Sequence, residues 1–232
     1  SSITATTVSI TAAKNIVTSS YNSISAIGLT TGNIVIAAIS SANVVTAYVL
    51  NSSGSVLATI PVATNGYSGV FAVRTFALSG GRFGVAFWTT SSSNAIYIYS
   101  SNYTLIGSTT YSGSSNFDIC GSIQGNSFCM CYLYGSAVYA RVYYNLSNLT
   151  TSYNFSASAS SPSTCTIAAD ATGGWYVSVG RSGSSFVGRI IPAGSNTWGF
   201  TNGGLSTSTG VGGGPTTPNS VSYTHLTLPT KA

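Results

Sequence analysis

Gly80-Gly-Arg-Phe-Gly-Val-Ala-Phe-Trp88 is a glycine turn running straight into a strand. Aromatic and β-branched residues favour a pleated, packed backbone. A short Thr/Ser/Asn gap follows, and then comes Ala95-Ile-Tyr-Ile-Tyr99. That segment has no strongly polar face. A strand of this kind is covered on both sides. Two such strands joined by a polar turn predict a hairpin inside a stack of sheets.

The same pattern occurs four times along the chain. The turn glycines are Gly32, Gly81, Gly125 and Gly173, spaced 49, 44 and 48 residues apart. A strongly apolar strand follows each turn: Ile34 to Ile39, Phe83 to Trp88, Phe128 to Tyr132 and Trp175 to Val179. Third strands are predicted over Val44 to Leu50, Ala95 to Tyr99, Ala137 to Tyr144 and Phe186 to Ile191. More polar fourth strands begin near Ser55, Thr104, Leu149 and Thr197. First strands lie near Ser23 to Leu29, Phe71 to Leu78, Phe117 to Ile123 and Thr164 to Ala169. Four short strands in each 44–49-residue repeat predict an all-β chain, a β-propeller of four-stranded blades. One blade cannot bury both faces alone, so several must stack. A pair of β-sandwiches is the alternative.

The composition agrees. The chain has 232 residues, and only 4% are charged. Ser and Thr together make 72 residues, and there is no Glu. With two Lys, one Gln and one Met, most good helix formers are missing. The 44% hydrophobic content argues against charge-driven disorder.

Gly80 to Trp88, together with Val138-Tyr-Ala-Arg-Val-Tyr143, resembles the degenerate repeats of bacterial surface-type β-propellers. The resemblance spans about residues 23 to 201 and implies an architecture, with no activity attached. On this reading residues 1–21 hold a strand of a preceding or closing blade, centred on Thr7 to Thr11. Residues 22–200 form four blades, and 201–220 are a Gly/Ser/Thr/Pro-rich loop or linker. Residues 221–230, Val-Ser-Tyr-Thr-His-Leu-Thr-Leu-Pro-Thr, resemble a translated transposase-type sequencing adaptor. That resemblance makes 221–232 an adaptor-derived tail on a metagenomic fragment, whose intact protein has either these four blades, closed on themselves, or five to eight. It also places His225, the one histidine, outside the natural sequence.

Chemistry is sparse. Catalysis needs a positioned proton carrier, and the chain offers Asp118, Asp170 and His225. Asp118 falls mid-strand and Asp170 in a hairpin turn, so they do not form the carboxylate pair of a glycosidase. No catalytic residue and no cofactor is expected. Cys129 and Cys131 lack both Cys-x-x-Cys spacing and a fourth ligand, which argues against zinc. A turn centred on Gln124-Gly125 sets Cys120 opposite Cys129 and Asp118 opposite Cys131. The cysteine pair is then either a cross-strand disulfide or two small buried hydrophobes.

Arg141 and Arg189 fall at nearly the same offset in the third strand, where the first two repeats carry Tyr48 and Tyr97. These four are read as ligand contacts or as side chains at a blade interface. Seven scattered cations make no basic stripe, which argues against nucleic acid. No apolar run reaches the length of a membrane span. Five Asn-x-Ser/Thr sequons, at Asn51, Asn102, Asn145, Asn148 and Asn154, match chance in so Ser/Thr-rich a chain. The expected role is non-catalytic and extracellular or at the cell surface: structural, adhesive or self-assembling. Glycan or small-ligand binding is one alternative, and part of a propeller enzyme is another.

Overall fold

The computed structural model describes residues 21–63, 69–89, 94–111, 116–122, 124–134, 137–147, 149, 153–158, 162–181, 184–194 and 197–202. The predicted strand near Thr7 to Thr11, residues 203–220 of the expected 201–220 linker and the 221–232 tail lie outside these residues, and Thr201 and Asn202 belong to a strand.

Among the described residues, sixteen strands form four antiparallel sheets, each of four strands in chain order. The first sheet holds β1 (Tyr21–Gly28), β2 (Ile34–Ser40), β3 (Val45–Leu50) and β4 (Val56–Ala63). The second holds β5 (Val70–Ala77), β6 (Phe83–Thr89), β7 (Asn94–Tyr99) and β8 (Leu105–Tyr111). The third holds β9 (Phe117–Gly121), β10 (Phe128–Tyr134), β11 (Ala137–Tyr143) and β12 (Tyr153–Ser158). The fourth holds β13 (Pro162–Ala169), β14 (Trp175–Arg181), β15 (Ser184–Gly194) and β16 (Thr197–Asn202). These are the four-stranded blades of a β-propeller. Most boundaries fall within three residues of expectation, and one differs by more. The third blade's last strand starts at Tyr153, not near Leu149. Leu146 and Leu149 are buried beside the second blade, so the connection dips inward before the strand begins.

The blades stack face to face through three apolar layers. Val35, Ala37 and Ile39 of the first blade meet Phe83, Val85 and Phe87 of the second. Phe76, Ala86 and Ile96 of the second meet Phe128, Met130 and Tyr132 of the third. Cys129, Cys131 and Val142 of the third meet Trp175, Val177 and Ile190 of the fourth. Alternate residues of one strand thus serve opposite interfaces, as the period of two requires. Each fully buried Phe or Val contributes about 1.5–3 kcal/mol.

First strands of neighbouring blades lie closest together. Ser25 Oγ accepts the Thr75 N–H at 2.9 Å, and Asp118 Oδ2 accepts the Ile167 N–H at 3.0 Å. Both residues hold the same register position, opposite the fourth residue of their second strand. In the first and third blades the side chain at this position thus satisfies a backbone donor of the next blade, which would otherwise be costly to bury, whereas the second blade carries Arg74 there, beside Asp118.

Candidate functional site

The β1–β2 and β3–β4 turns, and their equivalents in each blade, open on one rim. The first turns are tight, with Leu78 N donating to Arg82 O at 2.9 Å and Asp170 N to Gly174 O at 2.8 Å. Side chains on these turns reach across the blade junctions. Asn33 Nδ2 donates to Tyr103 Oη at 3.2 Å between the first two blades. Ser122 Oγ donates to Gly173 O at 3.1 Å between the last two. At the middle junction Arg82 Nη2 donates to Asn126 Oδ1.

A groove of about 410 Å³ lies beside this middle bridge. Small-molecule sites span roughly 300–1,000 Å³. The groove is lined by Arg82 from the second blade's first turn and Ile106 from β8. Across from them stand Asn126 and the Tyr144-Asn145-Leu146-Ser147 turn of the third blade. Arg82 is held on its own turn, with Nε donating to Ser79 O at 2.9 Å and Nη2 to Ser79 Oγ at 3.0 Å. Asn145 Oδ1 accepts Ser147 N–H at 3.2 Å and Ser147 Oγ–H at 2.9 Å, which fixes the opposite wall. Gly107 brings the two walls together: a Cβ there would stand 2.3 Å from Leu146 O. The groove therefore presents fixed polar groups beside an aromatic ring and two aliphatic side chains.

None of the four expected contact residues lines this groove, and they do not share one environment. Tyr48, Tyr97 and Arg141 each pair with the third residue of the neighbouring second strand, namely Ile36, Val85 and Met130. Arg189 pairs with the second residue, Tyr176. One step of register turns a side chain to the other face of the sheet. Arg189 accordingly lies on the face of the fourth blade turned from the third. There it pairs with Asp170, its Nε donating to Oδ2 at 2.6 Å, and it covers the Tyr176 ring at 5.3 Å. Arg141 lies at the second–third interface, 5.2 Å over the Tyr132 ring, with its Nε buried and without a hydrogen-bond partner. Tyr97 stacks on Phe87 at 5.9 Å in the first interface. Tyr48 lies on the outer face of the first blade, 3.1 Å from the Tyr21 hydroxyl. Burial and that hydrogen bond push its phenol up to about 12.

Cys120 does pair with Cys129, and Asp118 with Cys131, as the turn position predicts. All four cysteines are free thiols. Burial pushes the Cys120 thiol up to about 12 and those of Cys129 and Cys131 well above their ordinary value. These are packing groups and not poised nucleophiles.

The two carboxylates lie in different blades and have different partners. Burial raises Asp118, against the opposing pull of the Ile167 N–H and of Arg74, whose Nε stands 3.7 Å away. Burial also pushes on Asp170. Arg189, with the Thr172 N–H and hydroxyl, outweighs it and holds that carboxyl below its ordinary range. Among the described residues no cluster of His, Cys, Asp or Glu could hold a metal ion.

No protein-family model matches the chain, and no curated protein matches it. Solved structures do. The fungal lectin of Aleuria aurantia, a six-bladed β-propeller with a fucose recognition mode, is 16% identical with a TM-score of 0.51. The likeness covers 77% of this chain and 61% of that one. The SapL1 lectin, solved with α-methyl fucoside, is 13% identical over 77% of this chain and 63% of its own, with a TM-score of 0.50. A KlHsv2 variant, with loop 6CD replaced by a Gly-Ser linker, is 15% identical over 72% and 54%, also at 0.50. The chain thus spans 54–63% of the length of these three chains. At such identities the likeness is one of fold, and that fold is the β-propeller.

Proposed function

We infer that the chain is a non-catalytic, carbohydrate-binding β-propeller whose site is the groove between the second and third blades. The observation that carries this reading is the groove's lining. Arg82, Asn126, Asn145 and Ser147 offer hydrogen bonds to ring hydroxyls. Tyr144 and Ile106, with Leu146 buried behind them, offer apolar surface to the C–H face of a sugar. Two of the propellers similar in fold are lectins, which supports the reading by analogy. Asp118 and Asp170 are each engaged in holding the fold, which leaves no acid and base pair for glycoside hydrolysis. An extracellular or cell-surface setting goes with this reading.

A glycan array probed with the purified chain tests it. Saturable binding is expected, and it should weaken when Asn145→Ala removes one wall. Retention of full binding by Asn145→Ala would place the site elsewhere, and an array blank throughout would overturn the reading.

A self-associating or adhesive role is the second reading. The outer face of the first blade leaves Ile24 61% exposed, and that of the fourth leaves Tyr176 42% exposed. Sedimentation of the purified chain tests this, and a monomer at all concentrations would remove it.

A further inference from the structure

We propose that the groove selects acidic saccharides, those carrying a carboxylate or a sulfate ester, through Arg82. This rests on the carbohydrate-binding reading and adds the charge class of the ligand. The chain has only two acidic side chains. One, Asp118, lies near Arg74 and accepts the Ile167 N–H. The other, Asp170, is paired with Arg189. Among the described residues no carboxylate pairs with Arg82, whose hydrogen-bond partners are the neutral groups of Ser79 and Asn126.

Those bonds use Nε and Nη2. A guanidinium carries five N–H donors, so the two on Nη1 stay available to a ligand. The Ser79 and Asn126 contacts fix the guanidinium in place, so little side-chain freedom is lost on binding. An anionic oxygen arriving here meets a preset positive charge on a half-buried wall, with no acidic side chain nearby to repel it. Charge-assisted bonds of this kind are roughly twice as strong as neutral ones. A neutral sugar gains only the weaker kind, and it leaves the guanidinium charge without a counter-charge.

The test is calorimetric titration of the full chain with three probes: a glucuronate-terminated oligosaccharide, a sulfated galactose oligosaccharide and a neutral fucosyl oligosaccharide. Binding of one or both acidic probes, weaker at higher salt, is expected. The two acidic arms show which anion is preferred. Arg82→Gln should weaken acidic binding roughly ten- to a hundredfold. Asn126→Asp keeps the side chain's shape while placing a carboxylate against Arg82, and it should weaken acidic binding too. Circular dichroism of both variants checks that the fold is intact. Preference for the neutral probe would overturn the acidic selection and leave the carbohydrate reading standing. Acidic binding unmoved by Arg82→Gln and Asn126→Asp would also overturn it. Failure of all three probes, with no binding on the array, would remove both.

Discussion

Phe76 lies directly across from Gly84 in the β5–β6 pair, and its ring covers the glycine. A Cβ at residue 84 would stand 2.0 Å from Phe76 Cζ. That ring is also fixed from the other side by Phe128, with centroids 4.8 Å apart. It has nowhere to move, because protein interiors are close-packed. Gly84→Ala should therefore destabilise the chain by about 1–3 kcal/mol through overpacking. Urea denaturation would show this as a lower midpoint. Combining it with Phe76→Leu should recover part of the loss, since the two sites are in contact and their effects are not additive. An unchanged midpoint in Gly84→Ala would show that the ring can yield.

Asp170 acts at the scale of the element, because it ties the β13–β14 turn to the third strand of its blade through Arg189. It also fastens the turn itself, accepting the Thr172 N–H at 3.2 Å. A carboxyl held below its ordinary range adds stability that is present at neutral pH. That stability is lost as the pH falls below the ordinary carboxylate range and through the lower folded value. Asp118 works with the opposite sign. Its raised folded value makes the ionised form the costly one, so its contribution declines as the pH rises through the carboxylate range. Asp170→Asn should lower the melting temperature at pH 7 and flatten the loss on acidification toward pH 2. The comparison isolates Asp170, since Asp118 is present in both proteins. Parallel acid profiles for the two would refute the assignment.

Strand order and register were legible at this scale because turn glycines and apolar runs repeat at a spacing that backbone geometry dictates. The pairing of Cys120 with Cys129 followed from a single turn position. Arg189 was harder, because its offset from Trp175 matches that of Tyr97 from Phe83, yet its register differs by one residue. The groove was barely legible. Arg82, Ile106, Asn126 and Tyr144 come from separate turns and strands of two blades, and none is an unusual residue by itself. A lone arginine at the foot of a turn was its one signal, in a chain with so few charges.

At the scale of the whole molecule, stability is a chain of neighbour contacts. Each blade is held by the apolar layers it shares with the blades beside it, and charge contributes little. In such arrays the total is close to a sum of repeat and interface terms. The middle interface is the aromatic one, with Phe76, Phe117, Phe128, Tyr111, Tyr132 and Tyr143. Phe128 stands at its centre, fully buried, with ring centroids 4.8 Å from Phe76 and 4.7 Å from Tyr143. Phe128→Ala should cost about 3–5 kcal/mol. Among the described residues that interface joins the first two blades to the last two, so the loss should uncouple the halves as well as weaken the whole. Two probes would see this. Far-UV circular dichroism follows all four sheets. Fluorescence in a Trp88→Phe/Trp198→Phe background reports Trp175, which is buried between the third and fourth blades and donates to Cys120 O at 3.0 Å. The two urea transitions should coincide with Phe128 in place and separate in Phe128→Ala, because a weakened interface lets one half unfold first. Coincident transitions in the variant, shifted only in midpoint, would mean that the four blades unfold as one unit whatever the strength of the middle layer.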